Sequence, residues 1–148
     1  MSSPHPQEPN VYQHQITVQP EDIDALGHVN NVVYVRWAQE AAEAHWVSKA
    51  PETVRQKYNW VVLRHEIDYL RPALPGQTLL ATTWVESFAG VRSDRIVQLT
   101  HPETGAVLAR AKTTWCLIDA QTARPKRIED DIIKVFGRPG TSQDRRED

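Results

Sequence analysis

Hydrophobic and polar positions alternate at the start of the chain and then recur at helical spacing. Between Val11 and Gln19 side chains of opposite character alternate, which is the period of a half-buried β-strand, and Pro20 ends the run. From Asn31 to about Lys49, apolar or small residues recur every three or four positions, so this stretch is predicted to be one long amphipathic helix. The predicted apolar face of the helix consists of Val33, Trp37, Ala41 and Ala44.

After the helix the pattern changes to long runs rich in β-branched and aromatic residues, separated by glycine and proline turns. The predicted strands are Asn59–Pro72, Gln77–Ser87, Arg92–His101 and Ala106–Asp119, and a short helix is predicted at Asp130–Phe136. In the last strand Ala109 and Ala111 make the middle of one face small, so a helix could lie against it. The order predicts an α+β domain with one long helix packed on a five-stranded antiparallel sheet.

The two ends of the chain differ from this middle part. Residues 1–10 and 137–148 are polar, carry proline, glycine and mixed charge, and have little apolar surface to bury, so both are expected to be flexible. The folded domain is therefore predicted to cover residues 11–136. At 148 residues, one domain with one core is expected.

Composition excludes several functional classes. The chain is 40% hydrophobic and 24% charged with a formal net charge of -2, and it lacks the basic excess of nucleic-acid-binding proteins. No apolar stretch is long enough to span a membrane, and the start has no signal-peptide pattern, so a cytoplasmic protein is expected. The single cysteine, Cys116, lies in an apolar run and is expected to be buried and inert.

The segment just before the predicted helix concentrates polar chemistry. Residues 21–37 read EDIDALGHVNNVVYVRW, with two carboxylates, a glycine, a histidine and two asparagines within a few positions. Such a segment could be a loop that only caps the helix, because Asn and Asp side chains favour these positions. It could also be a reaction centre built at a helix start, where free N–H groups favour negative charge.

The motif Asp22-x-Asp24-x-x-Gly27-His28-Val29-Asn30-Asn31-x-x-Tyr34 resembles that of the acyl-CoA thioesterases of the 4-hydroxybenzoyl-CoA thioesterase type. Two later features resemble the same family: Asp68-Tyr69-x-x-Pro72 and the pair Arg92-Ser93. The likeness extends over about residues 11–136. The resemblance implies the hotdog fold, in which a sheet wraps around its long helix. It also implies a homodimer or homotetramer with active sites between subunits.

The resemblance places the family's catalytic carboxylate on Asp24. This group would act either as a general base toward water or as a nucleophile, and Gly27, His28 and Asn30 would complete the site. Free N–H groups at the helix start would stabilise the oxyanion. The family's benzoyl-CoA enzymes also use a glycine N–H, and no clear equivalent precedes Asn59.

Each candidate has a structural alternative. Asp22 is expected to be solvated or to stabilise the loop, and His28 either orients Asp24 or contacts substrate, or only bonds within the loop. Asn30 or Asn31 is expected to cap the helix, with Asn31 favoured, and Glu40, in a helix position that some hotdog thioesterases use, is expected to be solvated. Interior or interface roles are expected for two histidines, and core packing is expected for four tryptophans, with the lining of an acyl cavity as the alternative. These are His45, His65, Trp37, Trp60, Trp84 and Trp115.

For the nucleotide part of the substrate, Arg92, Ser93 and Arg95 are the predicted contacts, with Arg64 as a further candidate. Ordinary surface charge is the alternative for these arginines. No metal and no cofactor are expected, since the chain has neither H-E-x-x-H nor a Cys/His cluster.

The favoured function is hydrolysis of an acyl-CoA, or of an acyl carrier protein thioester. The alternatives are a hotdog module that binds acyl-CoA without cleaving it, a hydratase or dehydratase, and a purely structural domain. The acyl chain is not predictable from the sequence.

Overall fold

A computed structural model describes residues 10–137, in which five strands and three α-helices form one α+β unit. The elements are β1 (Val11–Thr17), α1 (Asn31–Lys49), α2 (Glu52–Arg55), β2 (Tyr58–Tyr69), β3 (Thr78–Ala89), β4 (Arg92–Thr100), β5 (Val107–Asp119) and α3 (Asp130–Phe136). Except for Asn10 and Gly137, the ends predicted to be flexible, 1–10 and 137–148, lie outside the described residues. Helix α2 and a short 3-10 helix at Pro20–Asp22 were not predicted.

The sheet is antiparallel throughout, with strand order β1-β3-β4-β5-β2. This confirms the predicted five-stranded antiparallel sheet. The central strands β3, β4 and β5 follow one another as hairpins, whereas β1 and β2 flank them. Register shifts occur between Val62 and Arg64 in β2 and between Val85 and Ser87 in β3. Such bulges bend a strand and increase its twist, which helps a sheet curve around a helix.

Helix α1 packs against the concave face of this sheet. Trp37 is 2% exposed and Ala41 is fully buried. The helix can approach closely because the facing strands carry small residues, including Ala81 on β3 and Ala109 and Ala111 on β5, all buried. These side chains belong to one apolar cluster, so the predicted apolar face of the helix and the predicted small face of β5 meet in the core.

A second apolar cluster closes the sheet beyond the C-terminal half of α1. Ile132 and Phe136 of α3 are buried there against Val85 and Leu117. The Tyr58 hydroxyl donates to the Asp131 carboxylate at 2.7 Å and fixes α3 to the start of β2. Helix α3 therefore forms one wall of the space around the end of α1.

Strand β2 forms one edge of the sheet and leaves apolar side chains uncovered. Val61 is 39% and Leu63 is 49% exposed. Cys116, on the neighbouring strand β5, is buried as expected. Within residues 10–137, no helix has both the length and the hydropathy needed to cross a membrane.

Candidate active site

The polar segment forms a loop anchored by Asp22. This side chain is 1% exposed, and its carboxylate accepts hydrogen bonds from Arg36 Nη2 and from the Gln19 N–H, both at 2.9 Å. The Asp22 carbonyl accepts from the Asn30 N–H at 2.9 Å. Of the two alternatives for Asp22, the loop-stabilising one is confirmed. Because Asp22 binds both sides of the loop, it fixes where the intervening residues lie.

Asp24 lies half-buried inside this loop. Its Oδ1 accepts from the Leu26 N–H at 2.9 Å and from the His28 N–H at 3.3 Å. Gly27 makes the tight turn possible, since its φ of 83° is a conformation that L side chains rarely adopt. Among residues 10–137, the other oxygen, Oδ2, has no hydrogen-bond partner, so one oxygen is held by the backbone and one is available.

The loop leads directly into the start of α1. Asn30 is the N-cap: its side-chain oxygen accepts from the Val32 N–H at 3.0 Å, and its carbonyl accepts from the Val33 N–H. Of the two predicted caps, Asn30 is confirmed and the favoured one, Asn31, is wrong. Asn31 is the first helical residue, one position too late for a cap. Its N–H has no acceptor within the described residues and points its dipole out of the helix start.

A cavity of about 490 Å³ opens over this loop, and we call it the loop cavity. Asp24, His28 and Asn30 line it together with Tyr34, Tyr69 and Arg71. The Tyr34 hydroxyl accepts from the Ala73 N–H at 2.9 Å, and burial raises the pKa of that hydroxyl. The Tyr69 hydroxyl donates to the Asn31 carbonyl at 3.2 Å. The two tyrosines therefore join the end of β2 to the helix start and form a fixed wall.

The structure brings only part of the predicted site together. Asp24, His28 and Asn30 line one cavity, and Gly27 lies in their loop. Arg92 is exposed at the start of β4, whereas Ser93 and Arg95 line a second cavity beside the C-terminal half of α1. The nucleotide-binding role of these three residues stays a prediction. Arg64, also exposed, pairs with Glu66 at 3.6 Å.

The second cavity, about 570 Å³, is called the Arg95 cavity below. Arg95 is 5% exposed, so the view of it as a surface charge is wrong. Its Nη1 donates to His45 Nδ1 at 2.9 Å and to Thr83 Oγ1 at 3.0 Å, and its guanidinium lies 5.1 Å from the Phe136 ring centre. Burial lowers the pKa of Arg95 to about 9, and burial together with the Arg95 charge lowers the pKa of His45 to about 3. At neutral pH the arginine is a cation and the histidine is neutral.

Several residues of these cavities were not predicted. Arg71 lines the loop cavity but occupies an unspecified position of the Asp68-Tyr69-x-x-Pro72 motif, so no sequence signal marked it. Trp37 and Trp84 are buried as expected, whereas Trp60 and Trp115 line the Arg95 cavity, in keeping with the alternative to core packing. His45 is buried as expected, whereas His65 is only half-buried. Across residues 10–137, His, Cys, Asp and Glu side chains form no group of three or more able to hold a metal ion.

Comparison with known proteins identifies the relationship. A sequence model of the thioesterase-like superfamily matches residues 18–136. The long-chain acyl-CoA thioesterase FadM of Escherichia coli (strain K12) is 27% identical over 122 residues, which cover 81% of this chain and 92% of that protein. The chloroplastic acyl-[acyl-carrier-protein] hydrolase FATB3 of Cuphea viscosissima is 29% identical over 86 residues, 57% of this chain. The matched segment spans only about a fifth, 20%, of that plant protein.

Solved structures agree on the architecture. The probable thioesterase YbaW from Escherichia coli superimposes with a TM-score of 0.73 at 26% identity, covering 84% of this chain and 95% of that one. The 1,4-dihydroxy-2-naphthoyl-CoA thioesterase Slr0204 from Synechocystis gives a TM-score of 0.74 at 18% identity, covering 85% and 95%. These likenesses confirm the predicted hotdog fold.

Proposed function

The chain belongs to the thioesterase-like superfamily, and we propose that it hydrolyses an acyl-CoA thioester to a free acid and a thiol, with Asp24 as the catalytic carboxylate. One observation carries this proposal. Asp24 Oδ1 is held by two backbone N–H groups, which leaves Oδ2 available in a cavity whose other wall is a helix start. A carboxylate placed this way can take a proton without losing its position.

In the proposed reaction Asp24 Oδ2 takes a proton from water while the water oxygen bonds to the thioester carbonyl carbon. The oxyanion that forms accepts from the free Asn31 N–H at the positive end of the helix dipole. The carbon–sulfur bond then breaks, the carbonyl re-forms, and the departing thiolate takes up the proton held by Asp24, which restores the carboxylate. The alternative, in which Asp24 itself attacks and forms a mixed anhydride, uses the same oxygen. Incorporation of ¹⁸O from labelled water into Asp24 during turnover establishes the anhydride route, because the base route forms no bond to the Asp24 carboxyl carbon.

The remaining loop residues have supporting roles in this proposal. The His28 backbone donates to Asp24, while its exposed ring lines the cavity and is assigned to substrate contact. The Asn30 side chain is engaged in capping the helix, so we assign it to positioning the Asn31 N–H rather than to the chemistry itself. Gly27 provides the turn that brings the His28 N–H to Asp24.

The substrate carrier is proposed from the relatives and from surface charge. FadM is a long-chain acyl-CoA thioesterase, whereas FATB3 acts on acyl carrier protein thioesters. We favour CoA here, with Arg92 as a phosphate contact, because it is exposed at the start of β4 and a guanidinium matches phosphate geometry. Replacing it, Arg92→Glu, is expected to raise KM for acyl-CoA about tenfold with little change in kcat.

A second copy of the chain is proposed to pair along strand β2. An exposed edge strand bearing apolar side chains is normally covered, and Val61 and Leu63 give this edge such a character. Pairing of two β2 strands would extend the sheet across both copies. Light scattering after size-exclusion chromatography tests this: a monomer at micromolar concentration contradicts it, and the double variant Val61→Lys, Leu63→Lys is expected to shift a dimer toward monomer.

The decisive experiment measures release of free thiol from a panel of short, long and aromatic acyl-CoAs. The variant Asp24→Asn is expected to reduce kcat/KM by about 10² or more, because it removes the base. Asp119→Asn is the matched control, since Asp119 Oδ1 also accepts from two backbone N–H groups, those of Gln121 and Thr122, in a turn that does not line the loop cavity.

Two outcomes separate the proposal from its rivals. Equal turnover by native protein and Asp24→Asn removes Asp24 from the mechanism. Acyl-CoA binding by both proteins without any cleavage makes the chain a non-catalytic acyl-CoA-binding module. A hydratase would instead consume a 2-enoyl-CoA with no release of thiol.

A further inference from the structure

The Arg95 cavity contains a buried cation that no acid among residues 10–137 balances. Arg95 comes from β4 and points into the space between α1, the edge strand β2 and α3. Burying a guanidinium away from water is strongly unfavourable unless an opposite charge accompanies it. Within residues 10–137, no carboxylate lies within ion-pair distance of Arg95. Glu43 also lines the cavity, but its side chain is exposed.

The groups that do contact Arg95 are neutral. The Thr83 hydroxyl already donates to the Ile96 carbonyl at 2.8 Å and uses a lone pair to accept from Arg95. Because an arginine only donates, His45 Nδ1 must be the acceptor in their contact, and the neutral ring then carries its proton on Nε2. That Nε2–H is buried and has no partner within the described residues.

A further donor without an acceptor borders the same space. Trp115 lines the cavity, and its indole N–H is buried with no hydrogen-bond partner in the described part of the chain. Both Arg95 Nε and Nη2 also lack acceptors among residues 10–137, since the two bonds described above both use Nη1. These donors have no acceptor within the described residues, and an acceptor-only anion in the cavity would satisfy them.

Most of the remaining lining is apolar or aromatic; of its polar residues, Gln39, Glu43 and Asn59 are exposed and Ser93 is buried. Trp46, Trp60 and Phe136 contribute rings, and Val62 and Val85 contribute aliphatic surface. The volume of about 570 Å³ falls within the range of small-molecule sites, roughly 300–1,000 Å³. A ligand that matches this lining has an apolar body and one anionic end.

We propose that the Arg95 cavity binds a carboxylate carried on an apolar body, with Arg95 as the residue that recognises the anion. A carboxylate oxygen pair fits the guanidinium fork, and the rings enclose the hydrocarbon. The carboxylate has two possible sources: a free carboxylic acid, or the far end of the acyl group of a thioester substrate. The second source rests on the proposed function; the first does not.

Binding of free acids tests the site without any catalysis. Calorimetry compares octanoate with its neutral analogue octanamide on the full chain. Octanoate is expected to bind at least about tenfold more tightly, the scale of one hydrogen bond to a charged group. In Arg95→Met this preference is expected to disappear, and in Arg95→Lys to weaken. The matched control is Arg110→Met, since Arg110, like Arg95, lies over an aromatic ring, in this case that of Trp84, and hydrogen-bonds Gln98, but does not line the cavity.

Fluorescence locates the bound acid even if Arg95→Met fails to fold. Bromo-octanoate quenches tryptophan emission on contact, so quenching in the native protein is expected to fall strongly in the triple variant Trp46→Phe, Trp60→Phe, Trp115→Phe, which removes every tryptophan that lines the cavity within the described residues. Quenching that is unchanged in the triple variant places the acid elsewhere and counts against the proposal.

Turnover distinguishes the two sources of the carboxylate. Adipoyl-CoA and hexanoyl-CoA have the same chain length and differ by a terminal carboxylate. A kcat/KM at least about tenfold higher for adipoyl-CoA, weakened in Arg95→Lys and lost in Arg95→Met, assigns the cavity to the far end of the substrate. Tight octanoate binding without a preference for adipoyl-CoA over hexanoyl-CoA assigns the cavity to a free acid. Equal binding of octanoate and octanamide, together with equal turnover of the two thioesters, overturns the proposal while leaving the thioesterase proposal intact.

Discussion

The two cavities along α1 hold opposite charges in opposite surroundings. At the N-terminal end, Asp24 is half-buried and its carboxylate is bound by backbone N–H groups while one oxygen remains available. Near the C-terminal half, Arg95 is buried and meets only neutral acceptors and a ring. A group that must exchange a proton with water gains from exposure. A group that must recognise an opposite charge gains from burial, because charge interactions strengthen as water is excluded.

Lowering the pH should reduce the stability of the protein mainly through the Arg95 cavity, and this is the largest expected effect. His45 has a pKa of about 3 in the folded chain because of burial and the Arg95 charge, against about 6.5 unfolded. Its stabilising contribution is complete above pH 6.5 and is lost as pH falls toward 3. In this range the unfolded chain binds a proton at His45 that the folded chain does not. The loss reaches roughly 4–5 kcal/mol.

Urea unfolding measured across this pH range checks the contribution of His45. His45→Gln retains an acceptor for Arg95 but cannot titrate, so its stability should decline less than that of the native protein between pH 6.5 and 3. Parallel declines would show that other groups, including His65, whose pKa burial also lowers, account for the acid sensitivity.

At the loop cavity the largest expected effect comes from Asp22, which anchors the loop. Asp22→Ala leaves the Gln19 N–H without its acceptor and separates Arg36 from the loop, so a loss of about 2 kcal/mol is expected from urea midpoints, with slower turnover. Arg36→Met is the control. Arg36 is half-exposed, so its loss should cost under about 1 kcal/mol. Equal losses would mean that the ion pair, and not the buried carboxylate, holds the loop.

The helix cap gives a smaller, sharper test. Asn30→Ala should destabilise the protein by about 1 kcal/mol, since the Val32 N–H loses its acceptor, whereas Asn31→Ala should change stability by only a few tenths. Thermal unfolding of the two variants side by side measures the difference. A larger effect at Asn31 would contradict the observed cap.

The smallest effect is expected at Glu40. It is half-exposed and pairs with Arg36 one helical turn away at 3.4 Å. Glu40→Gln should therefore alter stability by less than about 0.5 kcal/mol and kcat/KM by less than about twofold. A fall comparable with that of Asp24→Asn would move the catalytic carboxylate from the loop onto the helix.

The contrast between the cavities also explains what the sequence could predict. Helix α1 was predicted with its observed bounds, Asn31–Lys49, because its apolar period repeats over 19 residues. Helix α2 has four residues and was missed, since so short a helix shows no period. The loop cavity was predictable because most of its polar groups come from one continuous segment. The Arg95 cavity was not, because its lining comes from α1, four strands and α3, and only packing brings them together.

The order of the strands has a consequence for how the chain folds. Strands β3, β4 and β5 are neighbours both along the chain and in the sheet, so their pairing closes only short loops. The outer strands pair with residues far away in the sequence: Val11 pairs with Trp84, and Tyr58 with Asp119. Each outer strand therefore closes a long loop, and the chain entropy lost in closing the loop must be spent before the strand's contacts form. We expect the central meander to form early and the outer strands to dock late, with refolding times of roughly milliseconds to seconds. The edge strand β2, which borders both cavities, would then be among the last elements in place, and both cavities would be completed only at the end of folding.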